Sequence, residues 1–410
     1  MPDVLTLFPR FTFVAWLIVV IAAGFARGRP FVFFAAVMLG LHGLLSTTLV
    51  ATNLEHAGDA ANRLAWFATA LQLVTYAHFL MLTRPRLRPV AYRALVSIPA
   101  SYFVSASFLS LPWSLFHAVG LHAPLPWLPF LLASIGVVQS LFTREEERDL
   151  FLDGHDVGTL RPLPKSTSGI SAARPLRIVQ ITDPHLGPMM SVDRLRRISQ
   201  RAVDREPDLV FLTGDFLTME SQSDVGHLRE ALSPLRALPG RVFACFGNHD
   251  HEAPELVRRA LFDIGATLLV DDAATVETPA GRVQIVGFDF AWRDRQARID
   301  AVCAQHPRRD AAARIAMLHD PGAFKLIPEG AFDLVLSGHT HGGQVGLISL
   351  GSAWTFVRLV ARGYPDHGLW GRGRDRLYVH RGTGFYGFPL RVGVPGEESL
   401  LRVHRPAAIE

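Results

Sequence analysis

Polar residues that could bind metal ions follow five short apolar runs in the second half of the chain. Each run ends in a cluster of carboxylate, amide or imidazole side chains. Oxygen and nitrogen donors without a thiolate suit Mn, Fe or Zn, and they exclude Cu(I) sites and iron–sulfur clusters. The candidate ligands, in chain order, are Asp183, His185, Asp215, Asn248, His319, His339 and His341.

The number of donors indicates how many ions they bind. Seven ligands are too many for one tetrahedral zinc ion. They suit two divalent ions that share a bridging carboxylate and each keep a position open for water. A glycine directly precedes a candidate ligand at Gly214, Gly247 and Gly338. These glycines predict a sharp turn or a close backbone approach at the end of each strand.

The apolar runs are predicted β-strands separated by helical stretches, an alternation that indicates an α/β layered domain. Ligand groups at the carboxyl ends of strands converge in the crevice where α/β sheets bind ligands, so we expect the clusters to meet. The predicted strands that carry or support them are Leu176–Thr182, Leu209–Thr213, Arg241–Phe246, Arg282–Phe288, Ile315–Leu318 and Leu334–Ser337. The predicted helices are Val192–Arg205, Asp224–Ala237, Ala253–Ile264 and Asp294–Ala304.

Five sequence blocks resemble, in the same order, those of the calcineurin-like metallophosphoesterase superfamily. The resemblance covers roughly residues 176–405 and implies a two-sheet β-sandwich flanked by helices. The longer run from Gly338 to Gln344 is similar to the membrane-bound branch, in which multi-span N-terminal regions also occur. The five blocks are Asp183-x-His185, Gly214-Asp215, Gly247-Asn248-His249-Asp250, His319 and Gly338-His339-Thr340-His341.

The resemblance also implies a role for each matching residue. The implied ligands of the first metal are Asp183, His185 and His341, and those of the second are Asn248, His319 and His339. Asp215 matches the bridging carboxylate. His249 matches the catalytic histidine that does not bind metal, and Asp250 matches the acid that orients it. The chain departs from the pattern near its end, where an inserted glycine separates Pro395 from Glu397, so no role is transferred to Glu397.

The first part of the chain has the composition of a membrane region. The whole chain is 49% hydrophobic and 19% charged, and a helix of roughly 20 apolar residues crosses the hydrocarbon core of a bilayer. We therefore predict about five transmembrane spans within residues 1–150, a linker at 151–175 and the phosphoesterase domain at 176–405. The uncharged runs are Phe11–Ala26, Pro30–Asn53, Leu64–Thr83, Ala94–Gly120 and Leu121–Phe142.

Arginines in the predicted loops indicate an orientation. Arg27 and Arg29 follow the first run, and four arginines from Arg84 to Arg93 follow the third. Basic loops stay on the cytoplasmic side, so five spans put the polar half in the cytoplasm. If the last two runs form one span or a re-entrant hairpin, the polar half lies outside. No basic stripe marks the polar half, which argues against nucleic acid as a partner.

The predicted function is hydrolysis of a phosphomonoester or phosphodiester by a multi-pass membrane enzyme. Two cations would hold a bridging hydroxide that attacks phosphorus in line, and His249 would protonate the leaving oxygen. Five spans exceed what tethering needs, which favours a lipid-linked substrate at the bilayer surface. A soluble nucleotide or phosphoprotein is the alternative substrate. The alternative class is a non-catalytic receptor or transporter whose phosphoesterase-like domain binds a ligand.

Overall fold

The chain divides into two units, one of Met1–Leu141 with Gly387–Val392 and one of Phe142–Tyr386 with Gly393–Glu410. The structure, a computed structural model, describes residues 4–122, 124–152, 155–164, 174–311 and 313–405. Residues 153–154 and 165–173 of the predicted linker therefore lie outside the described residues.

The first unit is helical. It contains α1 (Val4–Ala26), α2 (Arg29–Glu55), α3 (Ala61–Leu82), α4 (Val90–Tyr92), α5 (Ile98–Leu109), α6 (Leu111–Ala118) and α7 (Leu128–Ser140), with a π-helical turn at Arg93–Ser97. A buried polar network joins α1, α2 and α3. Gln72 Nε2 donates to Thr12 Oγ1 at 2.9 Å, and Gln72 Oε1 lies 2.9 Å from His42 Nε2. Such pairing lets polar side chains lie inside a bundle whose outer surface is apolar.

Three helical segments are long and apolar enough to cross a membrane, namely Leu7–Ala26, Arg29–Glu55 and Gly58–Leu82. The segments Val90–Leu109 and Leu111–Ala118 meet at a 46° bend and count as a fourth crossing only if they act as one span. Pro112 lies in the first turn of α6, where its ring and missing N–H interrupt the helix. The last predicted run forms only the 13-residue α7. By length and composition, the described residues thus hold three or four helical segments that could each cross a membrane, whereas the sequence predicted about five spans.

The second unit contains two mixed β-sheets. Its strands are β1 (Thr143–Phe151), β2 (Arg161–Pro162), β3 (Leu176–Ile181), β4 (Leu209–Leu212), β5 (Val242–Ala244), β6 (Thr267–Leu268), β7 (Asp272–Thr278), β8 (Gly281–Gly287), β9 (Ala313–Met317), β10 (Leu334–Ser337), β11 (Gly368–Arg372), β12 (Asp375–Val379) and β13 (Gly396–His404). The sheet orders are β1-β13-β3-β4-β5-β6 and β2-β11-β12-β10-β9-β8-β7. The main helices are α8 (Val192–Asp204), α9 (Val225–Leu232), α10 (Pro254–Asp263), α11 (Arg295–Gln305) and α12 (Phe356–Val360).

Alternation of side chains along the strands builds three apolar layers. Phe211 and Phe243 of the first sheet pack against Ile315 and Leu336 of the second between the two sheets. The outer face of the first sheet packs on α8, α9 and α10. The outer face of the second packs on α11 and the turn at Pro321–Leu326. The predicted two-sheet sandwich flanked by helices is confirmed.

The structure differs from the sequence expectation at the start of this unit. Residues 143–150, assigned above to the membrane region, lie in β1, which pairs in parallel with all of β13. An ion-pair cluster fixes this edge, since Arg381 Nη2 donates to Glu146 Oε1 at 2.7 Å and its Nε lies 3.2 Å from Glu397 Oε2. Arg381 and Glu397 are buried, and a buried charge needs a partner. A charged segment at the edge of a sheet has no hydrophobic alternation, which explains why the sequence did not predict it as a strand.

The segment Gly387–Val392 belongs to the helical unit although it follows the second unit's strands in sequence. Arg391 N donates to Ser140 Oγ of α7 at 2.8 Å. Gly136 of α7 permits this approach, because a Cβ there would lie 2.9 Å from Val392 Cγ2 and 3.3 Å from Arg391 O. The chain thus returns to the helical unit once, close to its C-terminal end.

Candidate binuclear metal site

The predicted ligands follow five strands that end on the same side of the sandwich. β3, β4 and β5 are parallel neighbours in the first sheet, and β9 and β10 are parallel neighbours in the second. Since parallel strands place their carboxyl ends at one edge, the loops after them lie together. Gln180 of β3 bonds across the two sheets, with Nε2 donating to Ser337 O of β10 at 3.0 Å.

The first group of candidate ligands contains Asp183, His185 and His341, and all three are buried. Their potential ligand atoms lie within 4.8 Å of one another. His185 Nε2 lies 3.2 Å from His341 Nε2, and His341 Nε2 lies 3.2 Å from Asp183 Oδ1. Two imidazole nitrogens and a carboxylate oxygen facing one point are the donors that a borderline divalent ion takes.

The second group contains Asp215, His319 and His339, again with ligand atoms within 4.8 Å of one another. Asp215 Oδ2 lies 3.3 Å from His319 Nε2 of its own group and 3.6 Å from His185 Nε2 of the first group. One carboxylate therefore adjoins both groups. This is the position that a bridging ligand between two ions must have.

Two atoms of the site are buried and make no hydrogen bond, namely Asn248 Oδ1 and His319 Nε2. A buried polar atom without a partner is costly, and a cation bound here would satisfy both. Asn248 lies between Gly247, which packs against Asp215, and His249, whose N–H donates to Asp215 Oδ1 at 2.8 Å. The residues present therefore fit two divalent metal ions.

The electrostatics of the site also favour positive charge. Burial lowers the pKa of His319, but the carboxylates of Asp215 and Asp183 outweigh it and raise that pKa to about 10. Burial lowers the pKa of His185 to about 3 and that of His339 to about 4. His185 and His339 are therefore neutral beside ionised carboxylates, the form in which an imidazole binds a metal. The raised pKa of His319 shows that the carboxylates of Asp215 and Asp183 stabilise positive charge at this position.

Hydrogen bonds orient the imidazoles through the nitrogen that does not face the site. His319 Nδ1 lies 2.7 Å from Thr213 O, and His185 Nδ1 lies 3.3 Å from Leu217 O. A ring that donates from Nδ1 to a carbonyl keeps Nε2 as its acceptor nitrogen. In both residues Nε2 is the atom that faces the other ligands.

The backbone around the ligands is strained. Positive φ values cost a residue other than glycine roughly 1–3 kcal/mol and occur most at functional sites. Gly214 has φ +92°, and a Cβ there would lie 2.7 Å from Gly247 Cα, so the loops approach too closely for any side chain. Five predicted ligands have φ between +44° and +68°, namely Asp183, His185, Asp215, His339 and His341.

The hydrogen bonds around His249 favour an orienting acid other than the predicted Asp250. The acid that contacts the His249 imidazole is Glu252, with Oε1 2.7 Å from Nδ1. Asp250 instead accepts three backbone hydrogen bonds, from the N–H groups of Asp215, Phe216 and Gly247 at 2.7–2.9 Å. The 3-10 turn at Asp250–Glu252 turns the Asp250 carboxylate inward and brings Glu252, three residues after His249, next to the ring. In sequence, the available signal was the position of Glu252 three residues after His249. Only the 3-10 turn brings the two side chains together.

Two aromatic side chains flank the ligands. The ring of Tyr386 stacks on His185 at 5.2 Å between centroids and meets His249 edge-on at 5.0 Å. On the other side, the ring of Phe290 lies 6.2 Å from that of His339. The structure buries Phe385 and puts Tyr386 against two site imidazoles.

A sandwich with two imidazole–carboxylate groups at its strand ends defines a binuclear metallohydrolase. The calcineurin-like phosphoesterase family matches residues 176–343 of the chain. An uncharacterized metallophosphoesterase of Helicobacter pylori (strain ATCC 700392 / 26695) is 31% identical over 260 residues, which are 62% of this chain and 67% of that protein. The chain belongs to the calcineurin-like phosphoesterase family and is a metal-dependent phosphoester hydrolase, and the two ligand groups correspond to the two divalent metals of that family.

Two further relatives bear on the reaction and on the helices. Phosphodiesterase YaeI of Escherichia coli (strain K12) is 29% identical over 240 residues, covering 56% of this chain and 83% of that protein. The transmembrane protein with metallophosphoesterase domain of Danio rerio is 30% identical over 254 residues, covering 57% of this chain and 53% of that protein. Together with the three long apolar helices, the second relative indicates association with a membrane.

Proposed function

We propose that the protein is a multi-pass membrane phosphoesterase that hydrolyses a lipid-linked phosphodiester or phosphomonoester at the bilayer surface. The observation that carries the hydrolytic part is the place of Asp215, whose Oδ2 lies 3.3 Å from His319 Nε2 and 3.6 Å from His185 Nε2. A carboxylate that lies next to the imidazoles of both ligand groups is suited to a two-metal site.

The proposed ligands divide between the two ions. The first ion would be held by Asp183, His185 and His341, the second by Asn248, His319 and His339, and Asp215 would be a ligand of both. Divalent ions bound there would supply Lewis-acid activation of water and of the phosphoryl group. The backbone N–H of His339 donates one bifurcated hydrogen bond to the two carboxylate oxygens of Asp183, at 3.1 and 3.0 Å. This bond fixes the ligand loops after β3 and β10 relative to each other.

His249 supplies the proton for the leaving oxygen in this proposal. Glu252 occupies Nδ1, so Nε2 is the nitrogen that exchanges a proton with the substrate. The edge-on contact with Tyr386 and the backbone bond to Asp215 Oδ1 hold the ring beside the ligand groups. General acid–base groups of this kind contribute about 10²–10⁴-fold to rate.

The lipid linkage and the orientation rest on the first unit. Its three full-length helices are more than one anchor requires, which favours a substrate that itself resides in the bilayer. We place the catalytic domain in the cytoplasm because the arginine-rich loops after α1 and α3 favour the cytoplasmic side. This placement requires the bent pair Val90–Leu109 and Leu111–Ala118 to act as a fourth crossing. It also requires α7 to complete a fifth crossing within the uncharged run Leu121–Phe142.

The test is phosphate or headgroup release by the purified full chain, loaded with Mn, Fe or Zn, from a panel of phosphoesters. Lipid-linked diphosphates and phospholipids in mixed micelles are compared with soluble nucleotides, phosphopeptides and bis-nitrophenyl phosphate. We expect two metal ions per chain and the highest kcat/KM on a lipid-linked substrate. Preference for a soluble nucleotide or phosphopeptide would refute the lipid linkage. Two bound ions without turnover of any ester would favour a ligand-binding receptor.

A further inference from the structure

The second unit exposes a group of large apolar side chains shortly after the ligand loop. Among the described residues between Arg144 and His404, eight large apolar side chains are exposed, and six of them lie within residues 347–360. We call residues 347–360 the apolar patch. Soluble domains rarely concentrate exposed apolar side chains in this way without a partner. The six are Leu347, Leu350, Trp354, Phe356, Leu359 and Val360.

The exposure does not come from a loose loop. Leu347 N donates to Trp354 O at 3.0 Å, and Phe356 N donates to Val345 O at 2.8 Å. Thr355 caps α12 by accepting from Arg358 N, and its hydroxyl donates to the buried Asp366 at 2.6 Å. Main-chain and side-chain bonds therefore hold the apolar side chains outward.

The charged residues between positions 344 and 365 are both arginines. No Asp or Glu occurs from Gln344 to Pro365, whereas Arg358 and Arg362 do. The nearest acid along the chain, Asp366, is buried and pairs with Arg358 Nε at 2.9 Å. Arg362 is exposed. Apolar side chains accompanied by arginine are suited to an interface with anionic lipid headgroups.

The backbone of the patch is hydrogen-bonded to Gly393 of the same unit, the residue that follows the helical unit's segment Gly387–Val392 in sequence. Ser349 N donates to Gly393 O at 2.9 Å, and Val345 forms a bridge with the same residue. Gly393 directly follows Gly387–Val392, the segment that belongs to the unit with the membrane-spanning helices. The patch is thus hydrogen-bonded to the residue at which the chain leaves that unit. This continuity favours the bilayer over a separate protein as the partner of the patch.

We infer that the apolar patch inserts into the headgroup region of the bilayer as a second membrane contact, in addition to the spans. Asp366 bonds both to the patch and to the ligand loop. Thr355 and Arg358 of the patch bond to its carboxylate. Thr340, between His339 and His341, donates from Oγ1 to its main-chain oxygen at 2.6 Å. Docking would hold the ligand loop at the membrane surface. The inference holds for a lipid-linked and for a soluble substrate alike.

The test uses the full chain in nanodiscs that contain anionic lipid. A Cys303→Ser background removes the partly exposed cysteine, while Cys245 is fully buried. The fluorophore NBD is attached at Leu350→Cys or Leu359→Cys, and Phe262→Cys on α10 is the matched control, since Phe262 is also apolar and 76% exposed. Lipids carrying a nitroxide quencher at different depths report the position of each label.

We expect blue-shifted emission at positions 350 and 359, with the strongest quenching by nitroxides located about 5–10 Å into the boundary between headgroups and acyl chains. The label at 262 should remain unquenched. Quenching at 350 and 359 no greater than at 262 would refute the inference. Blue-shifted emission without lipid quenching would show that protein covers the patch, and would also refute it. Hydrolysis of bis-nitrophenyl phosphate by each labelled chain verifies folding and does not depend on the patch.

Discussion

Glu252 holds the imidazole of His249, with its Oε1 2.7 Å from Nδ1. The other carboxylate oxygen of Glu252 accepts from Gln222 Nε2 at 2.7 Å. Asp250 is the acid that directly follows His249 in sequence. In the described part of the chain, its carboxylate accepts hydrogen bonds from backbone N–H groups and not from the His249 ring. Orientation and charge of the proposed general acid therefore depend on Glu252.

Replacing Glu252→Gln should move the alkaline limb of the kcat–pH profile to lower pH. Burial lowers the pKa of His249, but the hydrogen bond and charge of Glu252, with Asp215, raise it above its ordinary value. A general acid must be protonated, so activity falls as pH rises through this pKa. Without the Glu252 charge the proton is lost at lower pH. The measurement is kcat against pH with a substrate that has a poor leaving group.

The matched comparison is Asp250→Asn. This change should reduce the free energy of unfolding and leave the alkaline limb of the kcat–pH profile unchanged. An amide cannot accept all three backbone hydrogen bonds, and each unsatisfied buried group costs about 1–3 kcal/mol. Thermal unfolding of the metal-loaded protein measures this loss. If Asp250→Asn moves the limb and Glu252→Gln does not, Asp250 is the orienting acid after all.

His249→Ala should retain both metal ions and lose about 10²–10⁴-fold in turnover of an ester with a poor leaving group. With a nitrophenolate leaving group of low pKa the loss should shrink, because less proton donation is needed. Metal analysis accompanies the kinetics. Loss of one ion would make His249 a ligand, and an equal loss on both substrates would make it an electrostatic contact to the phosphoryl group.

Asp215→Asn should abolish activity and release more metal than a change at any other single ligand. Asp215 lies next to both ligand groups, and removing its charge leaves two cations repelling each other. His251→Ala is the control, since His251 directly follows the block Asn248–Asp250 in sequence but its Nε2 lies 3.0 Å from Asp289 Oδ1. Two ions and normal turnover in Asp215→Asn would exclude a bridging role.

A soluble fragment that begins at residue 142 should be more stable than one that begins at 160. The longer fragment keeps β1, which pairs with β13 along nine residues. It also keeps Glu146, which accepts from the buried Arg381. Loss of one partner of a buried ion pair is costly. Thermal unfolding with metal present compares them, and equal midpoints would mean that β1 contributes nothing to stability.

A tag at the C-terminus should be protected from membrane-impermeant reagents in intact cells and react after lysis. This expectation follows from the basic loops after α1 and α3 and from a crossing by α7. The regular part of α7 has 13 residues and rises about 20 Å, short of the roughly 30 Å core. The crossing therefore requires either local thinning of the bilayer or a contribution to the span from the residues before α7. Labelling in intact cells would show that α7 does not cross.

The convergence of the predicted carboxylates and imidazoles was predictable because metal chemistry restricts residue types and because polar clusters at strand ends stand out in sequence. Carboxylates, an amide and imidazoles after apolar runs indicate convergence whatever the details of the fold. The partner of His249 was not predictable in the same way. Asp250 and Glu252 are both acids within three residues, and only the backbone turn determines which carboxylate faces the ring.

By itself the sequence determined the two-part organisation, the sheet strands that carry the ligands, and the donor types, because hydropathy, strand alternation and ligand chemistry are local properties. The tertiary structure decided where the phosphoesterase unit begins, since β1 is a strand only through its pairing with β13. It also decided that Gly387–Val392 belongs to the helical unit and that the side chains of residues 347–360 remain exposed. Pairing partners, burial and exposure depend on residues far away in the chain, and a hydropathy pattern does not contain them.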